Sequence, residues 1–160
     1  MNNRISLSSP VGPLTVIESR DRLVALVWEE QPAGPATALL QETRRQLLAY
    51  FAGRLTRFDL PLEVAGSDFQ QAVCREMLKI PYGQTWTYGQ LAKNLKSSAQ
   101  PVGGACGRNR LPILIPCHRV MGAGDQMTGF SGAGGIHTKR QLLILEGWQP
   151  REPDLFAPDQ

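Results

Sequence analysis

Three Ser/Thr-x-x-Gln spacings fall between residues 67 and 100, and they confine this stretch to short, capped helices. Ser67 with Gln70 stands before Phe69, Ala72, Val73 and Met77 at helical spacing, and Pro81-Tyr82-Gly83 stops that helix. Thr87 with Gln90 opens a second helix, with Leu91, Ala92 and Leu95 on one face. Ser97 with Gln100 is a third candidate box, and Pro101 falls in the first turn behind it, where its missing N–H costs little. Two short helices joined by a tight polar turn form a helix-turn-helix candidate. The second of them is unusual. Gly103 and Gly104 each cost it ~1 kcal/mol relative to alanine. Such a pair implies either close packing on a neighbouring helix or the close approach of an outside partner to the backbone.

The chain before this stretch follows a different period. Ile5 and Leu7 alternate with polar residues, Pro10 to Pro13 is a turn, and Leu14–Ile17 and Leu23–Trp28 are strand-like around Arg20-Asp21-Arg22. Leu39, Leu40, Leu47, Leu48 and Phe51 then fit an amphipathic helix ended by Gly53. This half shows no catalytic constellation and reads as scaffold. Pro61 to Gly66 has the composition of a linker. The expected organisation is an α/β unit over 1–62, a linker over 63–66, a helical unit over 67–150 and a polar tail over 151–160.

Charge permits a nucleic-acid partner without identifying one: 17 Lys+Arg stand against 14 Asp+Glu, a net charge of +3. No apolar run approaches the ~20 residues of a membrane span, and the first residues lack the apolar core of a signal peptide. Cytoplasmic residence is the expectation. The three cysteines show no C-x-x-C pair, and only His118 and His137 could join them. Neither a disulfide framework nor a metal site is expected, and no cofactor is called for.

Leu111-Pro112-Ile113-Leu114-Ile115-Pro116 is apolar, short and bracketed by prolines. It reads as a buried extended segment that delivers Cys117-His118-Arg119-Val120 out of the core. A free thiol is only about 3% thiolate at pH 7, so a cysteine that attacks carbon needs a base, a charge or a helix N-terminus. His118 is a candidate base, through a bridging water, and Glu146 can orient it. Such a relay would lower the thiol pKa by ~3 units for ~4 kcal/mol of differential stabilisation. Cys74 and Cys106 read as small buried hydrophobes.

Ile115-Pro116-Cys117-His118-Arg119-Val120 matches the active-site signature of the O6-alkylguanine-DNA alkyltransferases, the methylated-DNA–protein-cysteine methyltransferases. Phe69-Gln70-Gln71, Ile80-Pro81-Tyr82-Gly83, Tyr88 to Ala92, Val102 to Ala105, Asn109, Pro112 to Ile115, Gly129-Phe130-Ser131-Gly132, Lys139, Leu142-Leu143 and Glu146-Gly147 follow in family order. The resemblance covers residues 67–148, and the N-terminal part resembles the family in pattern only. It implies an α+β fold, with a ribonuclease-H-like unit supporting a helical unit that carries the helix-turn-helix. It implies irreversible, single-turnover transfer of an alkyl group from O6 of guanine, and from O4 of thymine, to Cys117. The implied partner is double-stranded DNA bound by a monomer through the minor groove, with the damaged base flipped into the pocket.

By position, the resemblance makes Cys117 the acceptor, His118 and Glu146 its activators through a water, and Asn109 the brace of the active-site segment. Tyr88 resembles the donor to guanine N3, Ser131 the residue bonded to O6, and Phe130 a pocket wall. Cys117 and Val120 resemble the backbone readers of the exocyclic amine, and Lys139 joins the substrate side. Gln100, Pro101, Val102, Gly103, Gly104, Ala105 and Arg119 fall on the DNA side. The sequence departs from the family at Gln100, where an arginine usually fills the gap left by the flipped base, at Pro101, commonly alanine, and at Phe130, commonly tyrosine. Three other readings stay open on the residues alone. A lesion-binding protein without transfer fits the lost arginine, though Cys117 speaks against it. A Cys-His hydrolase would turn over repeatedly. A transcription factor would read the major groove, for which the glycine pair is a poor surface.

Overall fold

The computed structural model describes residues 2–32, 34–127 and 134–149. Its architecture is α+β. Strands β1 (Asn3–Ser9), β2 (Gly12–Ser19) and β3 (Arg22–Val27) form an antiparallel meander in that order. Its tight turns fix the register. Ser19 pairs with Arg22 across Arg20 and Asp21, both at positive φ (54° and 62°), the backbone twist that suits a two-residue hairpin. Alternation then turns Leu14, Val16, Leu23 and Ala25 inward, where all are buried. Helix α1 (Ala38–Phe51) starts at Thr37, whose hydroxyl accepts from the Leu40 N–H (3.2 Å), and it contributes Leu40, Leu47 and Tyr50 to the same core.

The linker-like stretch is tied down. Leu23 donates to the Pro61 carbonyl and accepts from the Glu63 N–H, both at 2.9 Å, so residues 61–63 extend the sheet beyond β3. Gln46 clamps the backbone of Asp59 with two bonds (3.1 and 2.9 Å) and guides the chain there. Leu26 donates to the Arg110 carbonyl (2.9 Å), which joins the sheet directly to the helical part.

Helices α2 (Asp68–Leu78), α3 (Tyr88–Asn94), α4 (Ala99–Gly107) and α5 (Ile136–Leu145) build that part. The three capping spacings have three different outcomes. Thr87 and Gln90 form the complete reciprocal box (3.1 and 2.7 Å). Ser67 caps α2 (3.1 Å), but Gln70 turns into the core and donates to the Ala105 carbonyl (2.8 Å), fastening α2 to α4. The third box does not form. Lys96, at φ 55°, ends α3, the Ser97 N–H donates back to Ala92 (2.8 Å), and Ser98 starts α4 without a side-chain cap. Pro101 sits in the first turn of α4.

Leu111–Pro116 is buried but not extended. Ile113 adopts φ 72°, and the Ile115 N–H closes a tight turn on the Leu111 carbonyl (2.8 Å). Asn109 holds both ends, accepting from the Leu111 N–H (3.0 Å) and donating to the Ile115 carbonyl (2.9 Å). Cys117–Arg119 then forms one 3-10 turn. It leads into β5 (Val120–Met121), which pairs in parallel with β4 (Trp86–Thr87) just before α3. Among the described residues, no helix is long and apolar enough to cross a membrane.

Candidate active site

The 3-10 turn sends three consecutive side chains to three different places. Cys117 is half-buried, while Cys74 and Cys106 are buried. His118 is fully enclosed. Arg119 also turns inward, against the expectation that it faces DNA. Its Nε and Nη2 donate to the two carboxylate oxygens of Glu146 (2.8 and 3.0 Å), and Nη1 donates to the Ile80 carbonyl (2.7 Å). The guanidinium also lies 5.7 Å from the Tyr82 ring centroid. A planar fork matched to a carboxylate explains why the charge is kept inside.

Glu146 ends α5 and is the hub of the site. Its Oε2 also accepts from the Tyr50 hydroxyl (2.6 Å) and bonds His118 Nε2 (2.7 Å). Burial works against the ionised carboxyl, and the bonds and charges of His118 and Arg119 outweigh it, holding Glu146 well below the usual carboxylate range. Burial holds His118 below its ordinary value, with Glu146 pulling the other way and the charges of Arg119 and Lys139 assisting burial. A neutral imidazole facing a carboxylate through Nε2 carries its hydrogen there, which leaves the lone pair on Nδ1. Nδ1 is buried and has no hydrogen-bond partner among the described residues.

Lys139 is fully buried on α5 and donates to the Val120 carbonyl (2.5 Å). Burial brings its ammonium down to about 8, opposed by the charge of Cys117 and Cys106. Tyr88 opens α3 and faces the same two thiols. Burial, then the charge of Cys106 and Cys117, push its phenol up to about 12. The thiol contradicts the sequence expectation of a lowered value. Burial pushes Cys117 up to about 11, against a hydrogen bond from Asn109 and the charge of Lys139. At rest Cys117 is therefore a protonated thiol rather than a standing thiolate, because desolvation outweighs the favourable contacts.

Cys117, His118, Glu146, Asn109, Tyr88, Val120 and Lys139 are therefore brought together. Phe130 and Ser131 lie outside the described residues. The seven residues expected on the DNA side divide. Gln100, Pro101 and Gly104 are exposed on α4 and Gly103 is half-buried, whereas Val102 and Ala105 face the core and are fully buried. A Cβ on Gly103 would meet the Tyr88 ring no closer than 3.9 Å, and one on Gly104 would meet only the tip of Arg108 at 3.3 Å. The protein's own packing therefore does not demand the glycine pair. Tyr50 was missed in the sequence. It sits on the inner face of α1, where a tyrosine reads as core, 96 residues from the glutamate it serves.

Two family models match the chain. The 6-O-methylguanine DNA methyltransferase ribonuclease-like domain matches residues 4–64, and the DNA binding domain of the same family matches residues 68–148. The methylated-DNA–protein-cysteine methyltransferase of Mycobacterium tuberculosis is 42% identical over 150 residues, spanning 88% of this chain and 90% of its own length. That of Methanosarcina acetivorans is 47% identical over 154 residues, spanning 87% and 94%. The crystal structure of Mycobacterium tuberculosis OGT in complex with DNA superimposes with a TM-score of 0.82 at 42% identity, covering 90% of this chain and 92% of that one.

Proposed function

The chain belongs to the 6-O-methylguanine DNA methyltransferase family, and from that premise we propose how its residues carry the reaction. It is a direct-reversal DNA repair protein that moves an alkyl group from O6 of guanine to its own cysteine. Cys117 is the acceptor. Its sulfur bonds the alkyl carbon while the carbon–O6 bond breaks and the electron pair stays with guanine. The thiol proton passes through a water to His118 Nδ1, and Glu146 stabilises the imidazolium that forms. Tyr88 donates to the guanine ring at N3 and improves the leaving group. The thioether has no route back to a thiol, so each molecule reacts once.

The observation that carries this reading is His118: enclosed, bound through Nε2 to an ionised Glu146, and holding an Nδ1 lone pair with no partner among the described residues, next in sequence to the half-buried cysteine. The raised thiol value fits it, since a thiol that loses its proton only in the reacting complex is spared from other electrophiles. The partner is duplex DNA met in the minor groove by the outer face of α4, with the alkylated base flipped into the site and the protein acting as a monomer. Incubation with O6-methylguanine duplex followed by peptide mass analysis tests the reading. One added methylene on the Cys117 peptide, matched by loss of the methyl from DNA, is expected. An unmodified Cys117 after the DNA has been demethylated would overturn it.

A further inference from the structure

The N-terminal unit contributes a polar side chain, Tyr50, to the site. Tyr50 is 1% exposed, and its ring is fixed by Phe51, Phe58 and Tyr82 at centroid distances of 5.2, 5.2 and 6.3 Å. Its hydroxyl donates to Glu146 Oε2 at 2.6 Å, the same oxygen that takes His118 Nε2 at 2.7 Å and Arg119 Nη2 at 3.0 Å. Among the described residues, Oε1 takes only Arg119 Nε. Three donors therefore compete for the electron density of one oxygen. The strength of the His118 bond depends on how much of that density the other two withdraw.

We propose that Tyr50 is a positioning residue for the transfer reaction: its hydroxyl fixes the Glu146 carboxylate and sets the proton affinity of His118. The proposal rests on the His118–Glu146 relay described above. Among the described residues, the ionisable groups that face the pair are Tyr50 from α1, Tyr82 from the loop after α2, Arg119 from the 3-10 turn and Lys139 from α5. Burial, then the charge of Glu146, hold the Tyr50 phenol well above the usual tyrosine range, so it remains a donor throughout the working pH range. Without it, Oε2 concentrates its charge on His118 Nε2–H and the imidazolium is stabilised. His118 then titrates at higher pH, and less of it is available as a base near neutrality.

Tyr50→Phe keeps the ring and removes only the hydroxyl. The chain has two histidines, so the imidazole 15N spectrum of histidine-labelled protein holds two sets of signals, and His137→Gln assigns them. The expected result for Tyr50→Phe is an upward shift of the His118 titration by about half to one pH unit. The lower limb of the pH–rate profile for single-turnover reaction with free O6-benzylguanine should move by the same amount. Incorporating 3-fluorotyrosine at position 50 makes a stronger donor in the same place, and it should move both downward.

A melting temperature lowered by Tyr50→Phe with both titrations unmoved would overturn the proposal, leaving Tyr50 a packing residue. A His118 shift without a matching shift in the rate profile would overturn it too. If Tyr50→Phe does not fold, the fluorotyrosine protein decides alone. The relay is checked separately with His118→Asn: an unchanged rate and profile there would sink the relay, whatever Tyr50 does to the His118 spectrum.

Discussion

The hub around Glu146 and the outer face of α4 are built to opposite specifications. In the hub every carboxylate oxygen is bonded, the donors come from α1 and the 3-10 turn, and the whole set is buried. On α4 the helix lacks a side-chain cap, two adjacent glycines weaken it, and Gln100, Pro101 and Gly104 stand in solvent. Satisfying the polar groups of the hub fixes one geometry. Leaving α4 bare, when its own packing would accept larger residues, makes sense only if the missing contacts come from another molecule. The hub is finished in the free protein, whereas the α4 face, the proposed DNA surface, is left open in it.

Removing a hub component should therefore damage the free protein, whereas changing Cys117, the proposed acceptor, should not. Cys117→Ala gives the largest effect on function: transfer is abolished while fold and duplex binding are retained, read as methyl remaining in the DNA beside an unchanged binding isotherm. Glu146→Gln comes next. It leaves the Arg119 charge buried without its counterion, a loss of about 3–5 kcal/mol, and slows transfer by orders of magnitude. A denaturation midpoint close to wild type would show that the hub does not hold the fold. The variant also changes the acid limb. Glu146 stays ionised in the folded protein below its ordinary value of 4.5, so its contribution is complete above that pH and fades as pH falls toward its depressed folded value. Wild type should lose stability in that window more steeply than Glu146→Gln.

The same contrast governs what could be read from the sequence. The meander, α1 and the capped α3 were legible because period-2 alternation, turn residues and reciprocal capping are local signals. The Cys117-His118 pair is singled out by its match to a family signature, since the two residues alone do not distinguish chemistry from packing. The hub was not legible. The Tyr50–Glu146 bond spans 96 positions, and nothing separates an inward Arg119 from an outward one until Ile80 and Glu146 are in place. The apolar Leu111–Pro116 run between prolines suits a buried strand, and nothing in it announces the turn that it forms. The turn at Ile113 depends on Asn109 reaching around it. On α4, the glycines leave too little polarity pattern to separate the inward Val102 and Ala105 from the outward Gln100 and Pro101. The rise in the Cys117 value had no sequence signal, since desolvation is a property of the assembled site.

Gly104→Ala tests the unfinished face. The new methyl meets only the flexible tip of Arg108, so the helix should gain up to ~1 kcal/mol from the alanine. The same methyl should weaken duplex binding by standing between the backbone and the groove. Stability and binding thus move in opposite directions, which does not happen in the hub. A stabilised variant that binds DNA as tightly as wild type would assign the glycine to the protein's own packing after all.

The smallest effect should come from Gln100→Arg, at the second position of α4. Flipping a base costs a few kcal/mol, and a side chain inserted into the stack offsets part of it. Glutamine can insert and hydrogen-bond, but it carries no charge and lacks a guanidinium's stacking plane. Arginine there adds one cation near phosphate, so duplex binding should tighten several-fold at low salt and the logarithmic salt slope should steepen by about 1. Part of that gain is lost because a cation at a helix N-terminus opposes the dipole by ~0.3–1 kcal/mol. Transfer from duplex should quicken, while reaction with free O6-benzylguanine, which needs no flipping, stays unchanged. Both substrates meet the same thiol, so the ratio of the two rates isolates extrusion from chemistry. Equal acceleration of both would place the effect of residue 100 in the hub rather than on the DNA face, and the division between the two regions would fail at that position.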